Sequence, residues 1–112
     1  MQLESEEIDG SVTRVRLVGA PDLAGAEEIG LKLSVLADSR RCLLIELEQF
    51  TFLSSMGIRS LLSAAKTLAR RGGKLILINP TPTVQKVLLT TGCDGLMPIV
   101  PTLDEALGLL AV

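Results

Sequence analysis

The stretch FTFLSSMGIRSLL, from Phe50 to Leu62, joins an apolar run to a run with helical spacing. The preceding segment CLLIELE is short and apolar, which is typical of a buried strand. The following segment repeats apolar side chains on one face of a helix, namely Ile58, Leu61, Leu62, Ala65 and Leu68. A serine at this boundary favours a helix start, because its hydroxyl accepts a hydrogen bond from a free N–H of the first turn. The stretch therefore predicts a strand-to-helix junction that is capped by Ser54 or Ser55.

Further strand patterns lie on both sides of this junction. Upstream, SVTRVRLVG alternates and follows Asp9-Gly10, which predicts a hairpin whose glutamate-rich first strand lies at a sheet edge. Downstream, KLILIN is a second continuous apolar run, as expected of a parallel strand that is covered on both faces. The run LMPIV predicts a last short strand, and its Pro98 favours an edge position.

Capping residues predict where the other helices begin and end. Asp22 is the expected N-cap of a helix before CLLIELE, and Leu31 falls on the exposed side of that helix. Thr81 and Gly92 are the expected first and last caps of a helix after KLILIN. Thr102 opens a capping box at the start of the last helix.

The element order is strand, strand, helix, strand, helix, strand, helix, strand, helix. Alternation after the first hairpin predicts an α/β fold, with a mixed, mostly parallel central sheet of about five strands and about four helices. The 112 residues have room for one hydrophobic core, and no linker or internal repeat divides them. We therefore expect a single domain over residues 1–112.

Composition disfavours several classes of function. The chain has a net charge of -2, scattered basic residues and two Phe. Binding of nucleic acid is therefore disfavoured, because contacts with phosphates need a basic face. No apolar run approaches the roughly 20 residues of a membrane helix, and the N-terminus is acidic and polar, so we expect a cytoplasmic protein without membrane contact. Histidine is absent, which excludes Ser-His-Asp catalysis and His-ligated metals. We expect no cofactor and no metal, with Cys42 and Cys93 as reduced thiols.

The two junction serines have three interpretations. A helix cap explains them without any further function. A catalytic serine on a nucleophile elbow requires G-x-S-x-G, but Leu53 occupies the first glycine position and no histidine base exists. A phosphorylation site is the third interpretation, since unpaired N–H groups and the positive end of the helix dipole tolerate a phosphate. Met56 is an apolar residue on the polar side of this helix, where an exposed side chain would contact a partner.

The junction resembles the signature of the STAS domain, in its branch of bacterial anti-sigma factor antagonists. That signature is Asp-Ser-Ser-Gly-Leu or Ser-Ser-Ala-Gly-Leu, and it is matched in order by Ser54, Ser55, Met56, Gly57 and Ile58. The segment LVGAPDLAGAEEI is similar to the family's Gly-Glu-Leu-Asp element, with Gly19 and Asp22 at the matching places. The segment from Asn79 to the last helix resembles the family's usual C-terminal half, so the likeness covers nearly the whole chain.

This resemblance implies a partner switch that is controlled by phosphorylation. The unphosphorylated antagonist would bind an anti-sigma factor that is also a serine kinase, and would thereby release a sigma factor for transcription. The kinase would phosphorylate the junction serine and dissociate, and a serine phosphatase would reset the switch. By position, Ser55 is the implied phosphoacceptor, with Ser54 as the alternative. The expected partner-binding residues are Asp22, Ser54, Met56, Gly57, Arg59 and Ser60, on a protein that is a monomer when alone.

Two departures from the signature support a second hypothesis. Ser54 replaces the commoner Asp, and Met56 replaces the second Ser, so the chain could be a non-phosphorylated STAS scaffold or a transporter-associated binding protein. A third hypothesis is a small α/β enzyme or nucleotide binder that uses the turns at Gly57 or Gly72-Gly73. The absence of histidine, of a P-loop and of a metal cluster disfavours it, so we expect a binding protein rather than an enzyme.

Overall fold

A computed structural model describes residues 3–8 and 11–110, and the predicted Asp9-Gly10 turn lies outside the described residues. The element order of the described residues confirms the prediction. The elements are β1 (Leu3–Glu7), β2 (Val12–Gly19), α1 (Leu23–Ser39), β3 (Cys42–Phe50), α2 (Ser55–Arg70), β4 (Lys74–Ile78), α3 (Pro82–Thr90), a 3-10 turn (Cys93–Gly95), β5 (Ile99–Val100) and α4 (Leu103–Leu110).

The strands form one mixed sheet in the spatial order β1-β2-β3-β4-β5. Strand β1 is antiparallel to β2 and lies at one edge, while β2, β3, β4 and β5 pair in parallel. Parallel neighbours require a crossover connection, and a helix provides each one here. The predicted fold class, a mostly parallel α/β sheet that begins with a hairpin, is confirmed.

Helices cover both faces of the sheet at its centre, which explains the apolar runs Cys42–Ile45 of β3 and Leu75–Ile78 of β4. On one face, Leu43, Ile45 and Leu47 of β3 join the core that α1, α2 and α3 cover. On the other face, Leu44 of β3 packs in a smaller core with Ala106 of α4. Because consecutive strand residues point to opposite faces, both sets must be apolar when both faces are covered.

The outer face of β1, β2 and β3 carries charged side chains. Arg14 Nη2 lies 2.8 Å from Glu46 Oε2, and Arg16 contacts Glu46 as well. Each arginine also has a glutamate of β1 at 3.8 Å, Glu6 for Arg14 and Glu4 for Arg16. The hydrogen bond that Arg14 donates to Glu46 raises the pKa of Arg14 above its ordinary value. These ion pairs explain the alternating charges of the first two strands.

The predicted helix caps are confirmed. Asp22, Thr81 and Thr102 each accept a hydrogen bond from the backbone N–H three residues later, at 2.8, 3.4 and 3.2 Å. Gly92 follows the last turn of α3 with φ +74°, a left-handed conformation that favours glycine. Leu31 lies on the exposed side of α1, as the helical spacing predicted.

The prediction for LMPIV was wrong in its length. The edge strand contains only Ile99–Val100, and a 3-10 turn at Cys93–Gly95, which was not predicted, precedes it. Met97 is buried ahead of the strand, so its apolar character reflects the core rather than strand pairing. Cys42 and Cys93 are both buried and free, as expected. Among the residues described, no helix has the length and apolar character that crossing a membrane requires.

Candidate functional site

The candidate site lies where the carboxyl ends of β2 and β3 lead into α1 and α2. Gly19 at the end of β2 pairs with Phe50 at the end of β3. One residue further, the Thr51 N–H donates to the Gly19 carbonyl at 3.0 Å. The loop before α1 and the loop before α2 therefore lie side by side at the carboxyl edge, where open α/β sheets place their binding sites.

Ser54 is the N-cap of α2. Its backbone is extended, with φ -83° and ψ 169°, and its Oγ accepts a hydrogen bond from the Gly57 N–H at 3.1 Å. The side chain is half-buried under the first turn. The sequence predicted either Ser54 or Ser55 as the N-cap of α2, and the structure shows that Ser54 is the N-cap.

Ser55 is the first residue of α2, and its side chain is exposed. The first turn of α2 contains no acidic residue, so no carboxylate there offsets the positive end of the helix dipole. Arg59 lies four residues later and is also exposed, which places it above Ser55 on the same side of the helix. Ser55 therefore presents a hydroxyl to solvent at the N-terminal end of α2, which is the positive end of the helix dipole.

A glycine at position 57 is favoured by packing rather than by its backbone angles. A Cβ atom at this position would lie 2.9 Å from Leu53 Cδ1, and Leu53 is buried beneath the first turn of α2. Distances below about 3.0 Å do not occur between real Cβ atoms and their neighbours, so any side chain here would shift Leu53. The glycine lets α2 begin close to the end of β3.

Met56 and Ser60 face helix α1. Together with Arg59 they line a groove of about 260 Å³ between α1 and α2, whose other wall includes Gly30. A Cβ atom at Gly30 would lie 2.7 Å from Ser60 Oγ, so the two helices approach closely at this point. The helical spacing placed Ser60 on an open polar face, but α1 covers part of that face. Met56 is half-buried at the same groove rather than fully exposed.

The structure thus groups the predicted site residues in two sets. Asp22, Ser54 and Ser55 lie at the carboxyl edge, with Gly57 in the first turn behind them. Met56, Arg59 and Ser60 extend from that edge along the α1–α2 groove. Asp22 already accepts the Gly25 N–H at 2.8 Å, so its carboxylate serves the start of α1 as well.

Two exposed apolar residues at the same edge were missed by the sequence interpretation. Phe52 is 51% exposed and Leu23 is 66% exposed. Phe52 lies two residues after the end of β3, and Leu23 is the first residue of α1. The strand ends at Phe50, which is buried, and the chain then turns away from the sheet.

The site is a surface and not a deep pocket. The crevice beneath the junction, bounded by Pro21, Phe52 and Leu53 among others, has a volume of only about 10 Å³. Over residues 3–8 and 11–110, no group of three or more His, Cys, Asp or Glu side chains is arranged to hold a metal ion. Small-molecule sites are typically cavities of several hundred Å³, and this crevice is far smaller.

Comparison with known proteins adds a family and a set of relatives. The family model for the STAS domain matches residues 2–106. The anti-sigma F factor antagonist of Lysinibacillus sphaericus is 29% identical over 94 residues, which are 82% of this chain and 80% of the relative.

Solved structures of similar length share the fold. The unphosphorylated form of the anti-sigma factor antagonist SpoIIAA matches with a TM-score of 0.84 and 27% identity, covering 97% of this chain and 96% of SpoIIAA. The phosphorylated form of SpoIIAA from Bacillus matches with a TM-score of 0.77 and 26% identity, covering 96% and 98%. An anti-sigma factor antagonist from Mycobacterium paratuberculosis is 30% identical with a TM-score of 0.84, covering 98% and 93%.

Proposed function

This chain belongs to the STAS domain family, and we propose that it is an anti-sigma factor antagonist that is switched by phosphorylation of Ser55. Similar proteins of nearly the same length carry the name of anti-sigma factor antagonist. SpoIIAA, one of them, has been solved in a phosphorylated form. Anti-sigma factor antagonists act by binding another protein, which agrees with a site that is a surface and not a pocket.

The observation that carries the proposal is the division of roles between the two junction serines. Ser54 caps α2 and is half-buried, whereas Ser55 is exposed at the first helical position. A phosphate on Ser55 would leave the bond from Gly57 to Ser54 intact. It would also meet the positive end of α2, where negative charge is favourable. Phosphorylation there changes the surface without unfolding the domain, as a reversible switch requires.

The proposed partner is an anti-sigma factor that is also an ATP-dependent serine kinase. In the transfer step, the Ser55 hydroxyl oxygen attacks the γ-phosphorus of ATP, and the bond between that phosphorus and the leaving oxygen of ADP breaks. The hydroxyl proton passes to a base of the kinase. A serine phosphatase then restores the hydroxyl by hydrolysis, which releases inorganic phosphate.

Electrostatics explains why this modification would release the partner. A phosphoserine adds between about 1.5 and 2 negative charges near neutral pH. Inside an interface this charge must lose its water, and an unpaired buried charge costs several kcal/mol. Each 1.4 kcal/mol changes the dissociation constant by about tenfold, so one phosphate is sufficient to separate the complex. The proposed contact surface includes Asp22, Met56 and Arg59 around this serine, with Ser54, Gly57 and Ser60 supporting it.

The proposal is tested by incubating the protein with ATP and each anti-sigma kinase of the same genome. Intact mass and peptide mapping should detect one added phosphate on Ser55, and none on the Ser55→Ala variant. Ser63→Ala is a matched control, because Ser63 is an exposed serine further along the same helix. Absence of phosphate with every kinase would contradict the switch, and would favour a STAS scaffold that is not phosphorylated.

A further inference from the structure

Arg59 lies one helical turn after Ser55, and both side chains are exposed. The two residues belong to the same regular helix, which runs from Ser55 to Arg70. Side chains four residues apart on a helix have Cβ atoms about 5–6 Å apart, so long side chains at these positions can meet. The guanidinium of Arg59 can therefore reach an anion that is attached to the Ser55 oxygen. A phosphate is such an anion, with three strong acceptor oxygens.

Arg59 has no acidic partner of its own. Over residues 3–8 and 11–110, the cations of the ion pairs are Arg14, Arg16 and Lys32. Helix α2 contains neither Asp nor Glu. The described residues that line the groove around Arg59 include no acidic residue either. The guanidinium is therefore open to an anion at the start of α2.

The neighbouring helix α1 shows that this spacing supports an ion pair at the surface. Lys32 Nζ lies 3.0 Å from the Oε1 atom of Glu28, which is four residues earlier. The acid precedes the base, and this order is the more favourable one on a helix. A phosphate on Ser55 would have the same spacing and the same order relative to Arg59. Arginine also binds phosphate more specifically than lysine does, through two parallel N–H bonds.

We propose that phosphoserine at position 55 forms an ion pair with Arg59 on the same helix. This inference rests on the proposed function and adds how the phosphate acts on the contact surface. Without phosphate, the guanidinium points its N–H donors at solvent or at an acidic group of the partner. With phosphate, the internal pair occupies those donors, and the combined charge of the two side chains becomes negative. One modification therefore adds an anion and also removes a cation from the surface.

A simpler arrangement would hold the phosphate by the helix start alone. The positive end of the dipole favours an anion at Ser55 whether or not Arg59 is present. The contribution of Arg59 is isolated by removing its charge and leaving the helix start unchanged. Arg59→Gln does this, because glutamine is a good helix former and the position is exposed.

The test uses full-length protein in which phosphoserine is encoded at position 55 during synthesis, so no kinase is needed. Phosphorus NMR follows the second ionisation of the phosphate, which ordinarily has a pKa of about 6. A nearby cation favours the dianion and lowers that pKa. We expect the pKa in Arg59→Gln to be higher than in the phosphorylated wild type by about 0.3, a twofold change in proton affinity. Arg59→Lys keeps the charge and should restore most of the difference.

Arg70→Gln is the matched control. It removes the same charge from an exposed arginine of the same helix. Position 70 lies about 22 Å along the helix from Ser55, which is more than twice the screening length of about 8 Å at physiological salt. The phosphate pKa in this variant should stay within about 0.1 of the phosphorylated wild type. An equal change in both glutamine variants, or no change with Arg59→Gln, would overturn the pair.

Thermal unfolding provides a second readout. Phosphoserine should raise the unfolding midpoint more in wild type than in Arg59→Gln, because the dipole acts in both proteins and only wild type has the pair. The same increase in both would also overturn the pair, and would leave the switch standing on the charge of the phosphate alone. Failure of the proposed function would instead appear as the absence of phosphate on Ser55 after incubation with each kinase. The two failures are distinguishable, because the encoded phosphoserine does not depend on a kinase.

Discussion

The amino and carboxyl edges of the sheet differ in how closely the helices and strands pack there. At the amino edge, β3 and β4 begin where α1 and α2 end, and side chains and backbone are in close contact there. At the carboxyl edge, β2 and β3 end where α1 and α2 begin, and short polar caps leave the helix starts accessible. Contacts at the amino edge therefore contribute stability, whereas the carboxyl edge leaves helix starts and the apolar side chains Leu23 and Phe52 exposed. Variants at the two edges should therefore separate effects on the free energy of unfolding from effects on binding.

The amino edge has its closest contact at Gly73. A Cβ atom on Gly73 would lie 1.7 Å from the Arg41 carbonyl oxygen, which is backbone and cannot rotate away. We expect Gly73→Ala to lower the free energy of unfolding by about 3 kcal/mol or more, because the start of β3 or β4 must move. Urea denaturation measures this change.

Gly108→Ala is the control for that experiment. An added Cβ at Gly108 meets open space, and this residue lies within α4. Alanine has a higher helix propensity, so the variant should gain up to about 1 kcal/mol. Similar unfolding midpoints for the two glycine variants would contradict the close contact between Gly73 and the Arg41 carbonyl.

Arg71 connects the ends of both helices at the same edge. Its Nη1 donates to the Ala37 carbonyl and, at 2.8 Å, to the Arg40 carbonyl, at the C-terminal end of α1. Removal of the guanidinium in Arg71→Ala leaves these carbonyls without their charged donor, at a cost of about 1–2 kcal/mol. Arg70→Ala is the control, since its hydrogen bond to Thr67 is long, at 3.4 Å, and exposed. Equal losses in thermal unfolding would show that charge alone, and not this contact, is responsible.

At the carboxyl edge, Ser54 is expected to matter for stability more than Ser55. Ser54→Ala removes the hydroxyl that accepts the Gly57 N–H, and a lost N-cap costs about 1 kcal/mol. Ser55→Ala should change the free energy of unfolding by less than about 0.5 kcal/mol, because its side chain is exposed. Chemical denaturation of the two variants in parallel measures the difference. The reverse order would mean that Ser55 is the cap.

Ser55→Asp is expected to have a small stabilising effect on the fold. A carboxylate in the first turn interacts favourably with the helix dipole, by about 0.3–1 kcal/mol at low salt. The same charge should weaken binding of the anti-sigma kinase by at least about tenfold, because it enters the contact surface. Stability and binding therefore change in opposite directions. A variant that loses both would indicate local unfolding rather than a switch.

Much of the fold followed from short-range patterns in the sequence. The caps Asp22, Thr81 and Thr102 were identified because each bonds to a backbone N–H three residues away. The apolar runs of β3 and β4 predicted a sheet that is covered on both faces, since strand alternation disappears only when both faces are buried. The last strand was predicted too long, because Met97 is apolar for core packing and not for pairing.

The candidate site was predicted in its location but not in its details. The placement of the two serines at a strand-to-helix junction was predicted from the change from an apolar strand to helical spacing. The resemblance to the STAS signature predicted the same junction. The structure assigned the cap to Ser54, placed Ser60 against Gly30 of α1, and exposed Phe52. The contact of Ser60 and the exposure of Phe52 depend on packing between elements that are distant in sequence, so periodicity carried no information about them.

The sequence by itself determined the order of the elements, the starts of the helices, the sheet class and the family. The element order, the helix starts and the sheet class depend on hydrogen bonds and apolar repeats within a few residues, whereas the family was indicated by the resemblance to the STAS signature. Only the tertiary structure decided which serine is exposed, which glycine is crowded, and which apolar residues remain in water. Gly73 and Arg41 lie far apart along the chain, and so do Gly30 and Ser60. Their contacts exist because packed elements exclude one another's atoms, and that exclusion is a property of the assembled fold.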